Sequence, residues 1–146
     1  WSRTTSLDLT AQWRGLEKNG QFRFTPPTHA LLAFAQALRE LAAEGGVSAR
    51  ADRYRANHTA CCEGMRALGF ETYVPDPLQG HIITSFLYPE NDFDFDRFYA
   101  RLNDRGFVIY PGKVTQADCF RIGHIGHLFP DDTRALLEAI KAVQSC

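Results

Sequence analysis

No apolar run in this chain of 146 residues approaches the ~20 that cross a bilayer, so a helical membrane span is excluded. Net charge is nearly absent. Lys and Arg total 16 against 17 Asp and Glu, a balance of −1, and no strong field favours nucleic acid or an anionic membrane. Cysteine is sparse: Cys61, Cys62, Cys119 and Cys146 make no C-x-x-C, and the adjacent pair are poor partners for each other. They read as reduced thiols of a reducing compartment. No Gly-rich phosphate loop follows a strand pattern, which excludes dinucleotide and P-loop domains. Repeats and low-complexity segments are missing as well. The chain starts on Trp1, not Met, and no signal-like segment follows, so the expectation is an internal or C-terminal piece of a longer protein. Lysine is scarce, at positions 18, 113 and 141 against 13 Arg. That imbalance matters because lysine is the Schiff-base residue and arginine the reader of carboxylates.

What is present describes an ordinary globular chain. Hydrophobic residues make up 45% and charged residues 23%, and a chain of this size can bury roughly 68–70% of its unfolded surface. Leu9, Trp13 and Leu16 share a helical face that Asn19-Gly20 ends. An extended stretch from Gln21 to Thr25 then meets Pro26-Pro27, which forbid a continuing helix. Thr28 is the N-cap expected for a second helix, with Leu31, Phe34, Ala35, Leu38, Leu41 and Ala42 as its stripe and Gly45-Gly46 as its stop. A third helix is predicted from Val47 to Leu68, its stripe running through Ala51, Tyr54, His58, Cys61 and Met65, with Arg50, Arg53, Arg55 and Arg66 outside it. Gly69 fits its C′ position.

Strands follow. The pattern predicts short ones over Phe70–Val74, Ile82–Tyr88, Phe107–Tyr110 and Cys119–Gly123, with Ile82–Tyr88 the strongest in β-branched and aromatic content. An amphipathic helix carries Phe95, Phe98, Tyr99 and Leu102, and a last one, started by Asp131-Asp132, carries Leu136, Leu137, Ile140 and Val143. The order predicts an α+β fold: long helices packed on a small, mainly antiparallel sheet.

Few residues invite chemistry. Arg121 sits inside the strand pattern C-F-R-I-G, where a guanidinium needs an anionic partner. That partner is either an Asp or Glu of the domain or the acidic group of a ligand. Lys113, in P-G-K after a turn, reads as solvated. Asp92, Asp94 and Asp96 alternate like half a calcium loop, but Arg97 and Asn103 occupy its Gly and Glu positions, so helix capping is the better account. His124 and His127 near Cys119 lack a second ligand pair for zinc, and no metal site is expected. Cys61 and Cys62 fit a packed helix face, with no activating base identified.

Seven segments together resemble the fold-type I, class-V pyridoxal-phosphate-dependent aminotransferases, in their C-terminal part. They are SLDLTAQW (6–13), RFTPPTHALLAFAQAL (23–38), GMRALGF (64–70), IITSF (82–86), FDFDRFYARL (93–102), GFVIYPGKV (106–114) and DCFRIGHIG (118–126). They span almost the whole chain in the family's order, and GFVIYPGK followed by DCFRIG is the most distinctive pair. The match is nearest to members that move the amino group of 2-aminoethylphosphonate to pyruvate; an alanine–glyoxylate or serine–pyruvate type relative is the alternative, and a non-catalytic binding module the reading from another class.

The resemblance implies a division into residues 1–45, a helical segment linking to a large cofactor domain, and residues 46–146, the small C-terminal α+β domain. It implies that Arg121 binds the substrate anion. Thr25, in the intersubunit loop near 23–28, would reach the phosphate of the partner subunit's pyridoxal phosphate, so the full-length enzyme is expected to be a cytoplasmic homodimer. The Schiff-base lysine and most of the cofactor site are expected upstream of Trp1. No catalytic residue is therefore assigned in this chain, and Lys113 is not given that role. The chain departs from the family at His124, where Asn is frequent, close to the substrate arginine.

Overall fold

The computed structural model describes residues 4, 6–89, 92–112 and 117–144. Lys113 and Cys146 lie outside the described residues. The chain divides into two compact units, Trp1–Ala43 and Glu44–Cys146. Among the described residues no helix is long and apolar enough to cross a membrane.

The first unit holds two helices joined by a loop. Helix α1, Leu9–Asn19, begins where the Asp8 side chain accepts a hydrogen bond from the Ala11 amide at 2.9 Å, and ends at Gly20 in the left-handed region. Helix α2 is Thr28–Glu44. Thr28 is its first residue, not its cap: the preceding carbonyl, Pro27 O, takes the Leu31 amide at 3.0 Å. The stretch from 21 to 25 pairs with no strand; the Arg23 amide instead donates to Gln12 Oε1 at 3.2 Å, folding the loop back on α1. Neither helix contains a fully buried residue, and Leu9, Trp13, Leu31 and Phe34 stay exposed along the predicted stripes.

The second unit holds the core. Helix α3, Gly46–Ala67, is followed by a 3₁₀ turn at Asp76–Leu78, strand β1 at Ile83–Leu87, helix α4 at Phe95–Asn103, strand β2 at Tyr110–Pro111, strand β3 at Cys119–Gly123 and helix α5 at Pro130–Gln144. Strand order is β1-β3-β2, antiparallel throughout. One face of the sheet carries Thr84, Phe86, Phe120 and Ile122, all buried. Phe120 is the hub of this layer, with the rings of Phe70, Phe86, Tyr88, Phe93, Phe95 and Phe98 at 5.5 to 6.3 Å. Helix α3 packs on α5 so closely at Gly64 that a methyl group there would overlap the Leu137 side chain. Asp94 caps α4 by accepting from the Arg97 amide at 2.9 Å, the role expected within the acidic run.

Two predicted strands shrink. Residues 70–74 supply only the bridge Thr72↔Phe86, because pairing starts just past the Gly69 turn and stops at Pro75. Residues 107–109 do not pair: the Phe107 amide is taken by Leu102 O at 3.0 Å, closing α4, so β2 begins only at Tyr110. On α3 the buried residues are Asn57, Cys61, Cys62 and Met65, while Val47 at the head of the predicted stripe is exposed.

Candidate anion-binding site

Alternation along β3 gives the sheet its second face. Phe120 and Ile122 point into the core, so Cys119, Arg121 and Gly123 point the other way. Register places Ser85 of β1 and Tyr110 of β2 directly opposite Arg121, one on each side and on its face. Arg121 is thus the centre of a three-residue row on the middle strand of the sheet.

Its guanidinium is sparsely engaged. Nη2 donates to Pro111 O at 3.1 Å, and Nε is buried without a partner. None of the ion pairs among the described residues includes Arg121. The Asp or Glu that a purely structural arginine would need is absent from its side among those residues, and a buried donor with no acceptor costs about 1–3 kcal/mol. Pro111 is held in place by the next residue. The Gly112 amide donates to Cys119 O at 2.8 Å, and a Cβ on Gly112 would collide with that carbonyl and with Cys119 Sγ. Burial pushes the Cys119 thiol up, and the nearby Arg121 charge pulls it down less strongly.

Beside the sheet opens an apolar cleft of about 550 Å³, walled by Ile83, Val108, Tyr110, Gly123, Ile125 and Leu128 among others. That volume suits a small molecule. Tyr110 borders both this cleft and the Arg121 row.

The segment leaving β3 is fixed from α3. Asn57 Nδ2 donates to His124 O at 3.2 Å and Leu128 O at 3.0 Å. Arg53 Nη1 donates to Gly126 O at 2.8 Å and Leu128 O at 2.7 Å, its Nε to Glu44 Oε1 at 2.6 Å, and its guanidinium lies 4.9 Å from the Phe129 ring centre. Arg53 is therefore a tie across the domain, not a residue of a solvated helix face. Hydrogen bonds from Arg53 and Arg50 hold the Glu44 carboxyl down to about 2. His124 is buried, with Nε2 2.8 Å from Thr84 Oγ1; burial first, then the charges of His58 and His81, lower it to about 4.

The predicted site residues fall in separate places. Arg121 is on the open sheet face of the second unit. Thr25 is exposed in the α1–α2 loop of the first unit, and among the described residues its hydroxyl has no partner. His124 follows β3 and turns inward to Thr84, away from the row that holds Arg121. Two features were missed in the sequence. Ser85 and Tyr110 become neighbours of Arg121 through strand register, which no local pattern carries. Cys62 lies 3.4 Å from His58 Nε2, one helical turn apart, a spacing that could have been noticed. The thiol is nevertheless raised by burial, so this contact does not make a thiolate. Among the described residues no group of three His, Cys, Asp or Glu could hold a metal ion.

Among the described residues, two helices in the first unit and three helices with a three-stranded antiparallel sheet in the second make an arrangement shared with the C-terminal region of solved aminotransferases. The solved alanine–glyoxylate aminotransferase from Nostoc sp. superposes with a TM-score of 0.81 at 21% identity, covering 98% of this chain and 39% of that one. A phosphoserine aminotransferase from Trichomonas vaginalis, solved with pyridoxal phosphate bound, gives 0.73 at 19% identity over 94% of this chain and 39% of its own. No protein-family model matches the chain. Sequence similarity is much more specific. The chain is homologous to the C-terminal part of 2-aminoethylphosphonate–pyruvate transaminases: it is 57% identical over 143 residues to that of Phocaeicola vulgatus, covering 97% of this chain and 40% of the relative. With that of Salmonella paratyphi B identity is 58% over 142 residues, covering 96% and 39%. The chain thus spans about 40% of the length of the curated relatives it matches.

Proposed function

We propose that this chain is the substrate-reading C-terminal part of a transaminase that moves the amino group of 2-aminoethylphosphonate to pyruvate, giving phosphonoacetaldehyde and L-alanine. The observation that carries the reading is the 57–58% identity to transaminases of that name along nearly the whole chain. The open sheet face supports it: an arginine without a carboxylate partner among the described residues is a ready site for a substrate's acidic group, and its planar fork suits such groups.

Pyridoxal phosphate, when bound, supplies the electron sink for amino transfer. The residues here fit a minor share of its site. The exposed Thr25 hydroxyl suits one phosphate oxygen, and the proposed contact is to the cofactor of a partner subunit in a cytoplasmic homodimer. Lys18 lies in the last turn of α1 and Lys141 in that of α5, and the lysine that holds the cofactor is assigned to the part of the full-length enzyme that precedes this chain. This chain's own contribution is to bind and orient the acidic end of each substrate.

The test is amino transfer by the full-length protein. With 2-aminoethylphosphonate and pyruvate it should form L-alanine and phosphonoacetaldehyde in equal amounts. Amino transfer from L-alanine to glyoxylate, with none from 2-aminoethylphosphonate, would move the protein to the alanine–glyoxylate type and overturn the proposal.

A further inference from the structure

We infer that Ser85 and Tyr110 are specificity-determining residues that make the Arg121 site select a tetrahedral phosphonate over a planar carboxylate. The inference rests on the reading of Arg121 as the residue that binds the substrate's acidic group, and it concerns what that reading leaves open, the shape of the group.

Ladder hydrogen bonds join Ile82 O to the His124 amide and Asp118 O to the Tyr88 amide. Counting inward from either end makes Ser85↔Arg121 a non-hydrogen-bonded pair, the closer of the two antiparallel kinds, with Cα atoms about 4.5 Å apart. The Tyr110↔Arg121 pair belongs to the wider kind, in phase with the Gly112 amide bond to Cys119 O, at about 5.5 Å. The Ser85 backbone therefore runs closer to that of Arg121 than the Tyr110 backbone does, while the guanidinium itself leans towards β2, where Nη2 meets Pro111 O.

All three side chains have donors to spare. Arg121 Nε is buried and unpartnered, and one bond to Pro111 O is the whole engagement of Nη2. Among the described residues neither the Ser85 hydroxyl nor the Tyr110 phenol has a hydrogen-bond partner, and Tyr110 is 54% exposed.

A carboxylate presents two oxygens in one plane, and a guanidinium fork satisfies both edge on. A phosphonate presents three. With two of them in the plane of the fork, the third must rise out of it, where arginine has nothing to offer. Hydroxyls on the two neighbouring strands flank the guanidinium and can donate to that third oxygen. They add little for a carboxylate, whose two oxygens are already matched. With a carboxylate the two hydroxyls stay hydrated and gain nothing, so discrimination comes from the bonds that only a phosphonate can accept.

The experiment uses the full-length enzyme and two amino donors that differ in the acidic group alone, 2-aminoethylphosphonate and β-alanine. The quantity read is the ratio of their kcat/KM values. Ser85→Ala and Tyr110→Phe should each lower that ratio about tenfold, the loss of one hydrogen bond to a charged group. Isothermal titration with ethylphosphonate and propionate, which cannot react, should show the same weakening for the phosphonate and little change for the carboxylate. Melting temperatures of both conservative variants should match the parent. An unchanged ratio and unchanged ethylphosphonate affinity in both variants, with Arg121→Lys still impairing both donors, would overturn the inference and leave the Arg121 reading standing. Arg121→Lys with both donors unimpaired would overturn that reading itself.

Discussion

His124 makes the fold sensitive to mild acid. The imidazole is buried against Thr84 and near the rings of His58 and His81, and is lowered to about 4 from an ordinary value of 6.5. In the folded protein it stays neutral down to that pH. In the unfolded chain it protonates below about pH 6.5, so the unfolded state binds more protons there and stability falls as pH drops. The stability is fully present above pH 6.5 and lost progressively towards pH 4, by roughly 3 kcal/mol at the acid end. Glu44 acts in a lower window. Held near 2 by Arg53 and Arg50, it contributes fully above about pH 4.5 and its contribution is lost as pH falls towards 2. Urea denaturation of the chain at pH 7.5, 6.5, 5.5 and 4.5, for the parent and for His124→Asn, separates the two. The parent should lose stability steeply across that range, and the variant should lose less by most of the His124 amount. Equal pH slopes for the two proteins would refute the argument.

Other perturbations have definite outcomes. Phe120→Ala removes the ring at the centre of the aromatic layer and should cost about 3–5 kcal/mol in denaturant unfolding. Asn57→Ala leaves the carbonyls of His124 and Leu128 without their donor and should cost about 1–3 kcal/mol by the same assay. Gly112→Ala drives a methyl group into Cys119, prising β2 from β3; stability should fall by about 1–3 kcal/mol, with a larger rise in KM for acidic substrates than in the parent's other properties, because Pro111 O would leave Arg121. Thr25→Ala in the full-length enzyme should weaken retention of pyridoxal phosphate by about 1.5–3 kcal/mol, measured by dialysis and absorbance.

Helices were legible wherever periodicity met punctuation. Gly20, Gly45, Gly69 and Gly106 all take positive φ at helix boundaries, where a sequence reader would put them. Strand β3 was legible to the residue because C-F-R-I-G is short, apolar and bounded by polar residues. The flanks of the sheet were not. How far 70–74 and 107–109 pair depends on how long a turn takes to release the chain: Pro75 cuts the first down to the bridge at Thr72, and the closing bond of Phe107 keeps the second out of the sheet until Tyr110. The buried asparagine on α3 was hidden for a related reason. Asn57 is inside because two carbonyls from residues far along the chain need a donor, a demand that exists only after folding. Arg121 was visible as an arginine in a strand, but the row it forms with Ser85 and Tyr110 is a product of register.

The central claim is that Arg121 reads the acidic group of both substrates. Its most direct test is the pair of half-reactions of full-length Arg121→Ala, followed with 2-aminoethylphosphonate on one side and pyruvate on the other, alongside the melting temperature. Losing a charge-assisted contact and leaving the substrate anion unpaired should lower kcat/KM in both half-reactions by about a hundredfold or more, with the melting temperature unchanged. Normal half-reaction rates with a lowered melting temperature would contradict the claim and make Arg121 a structural residue.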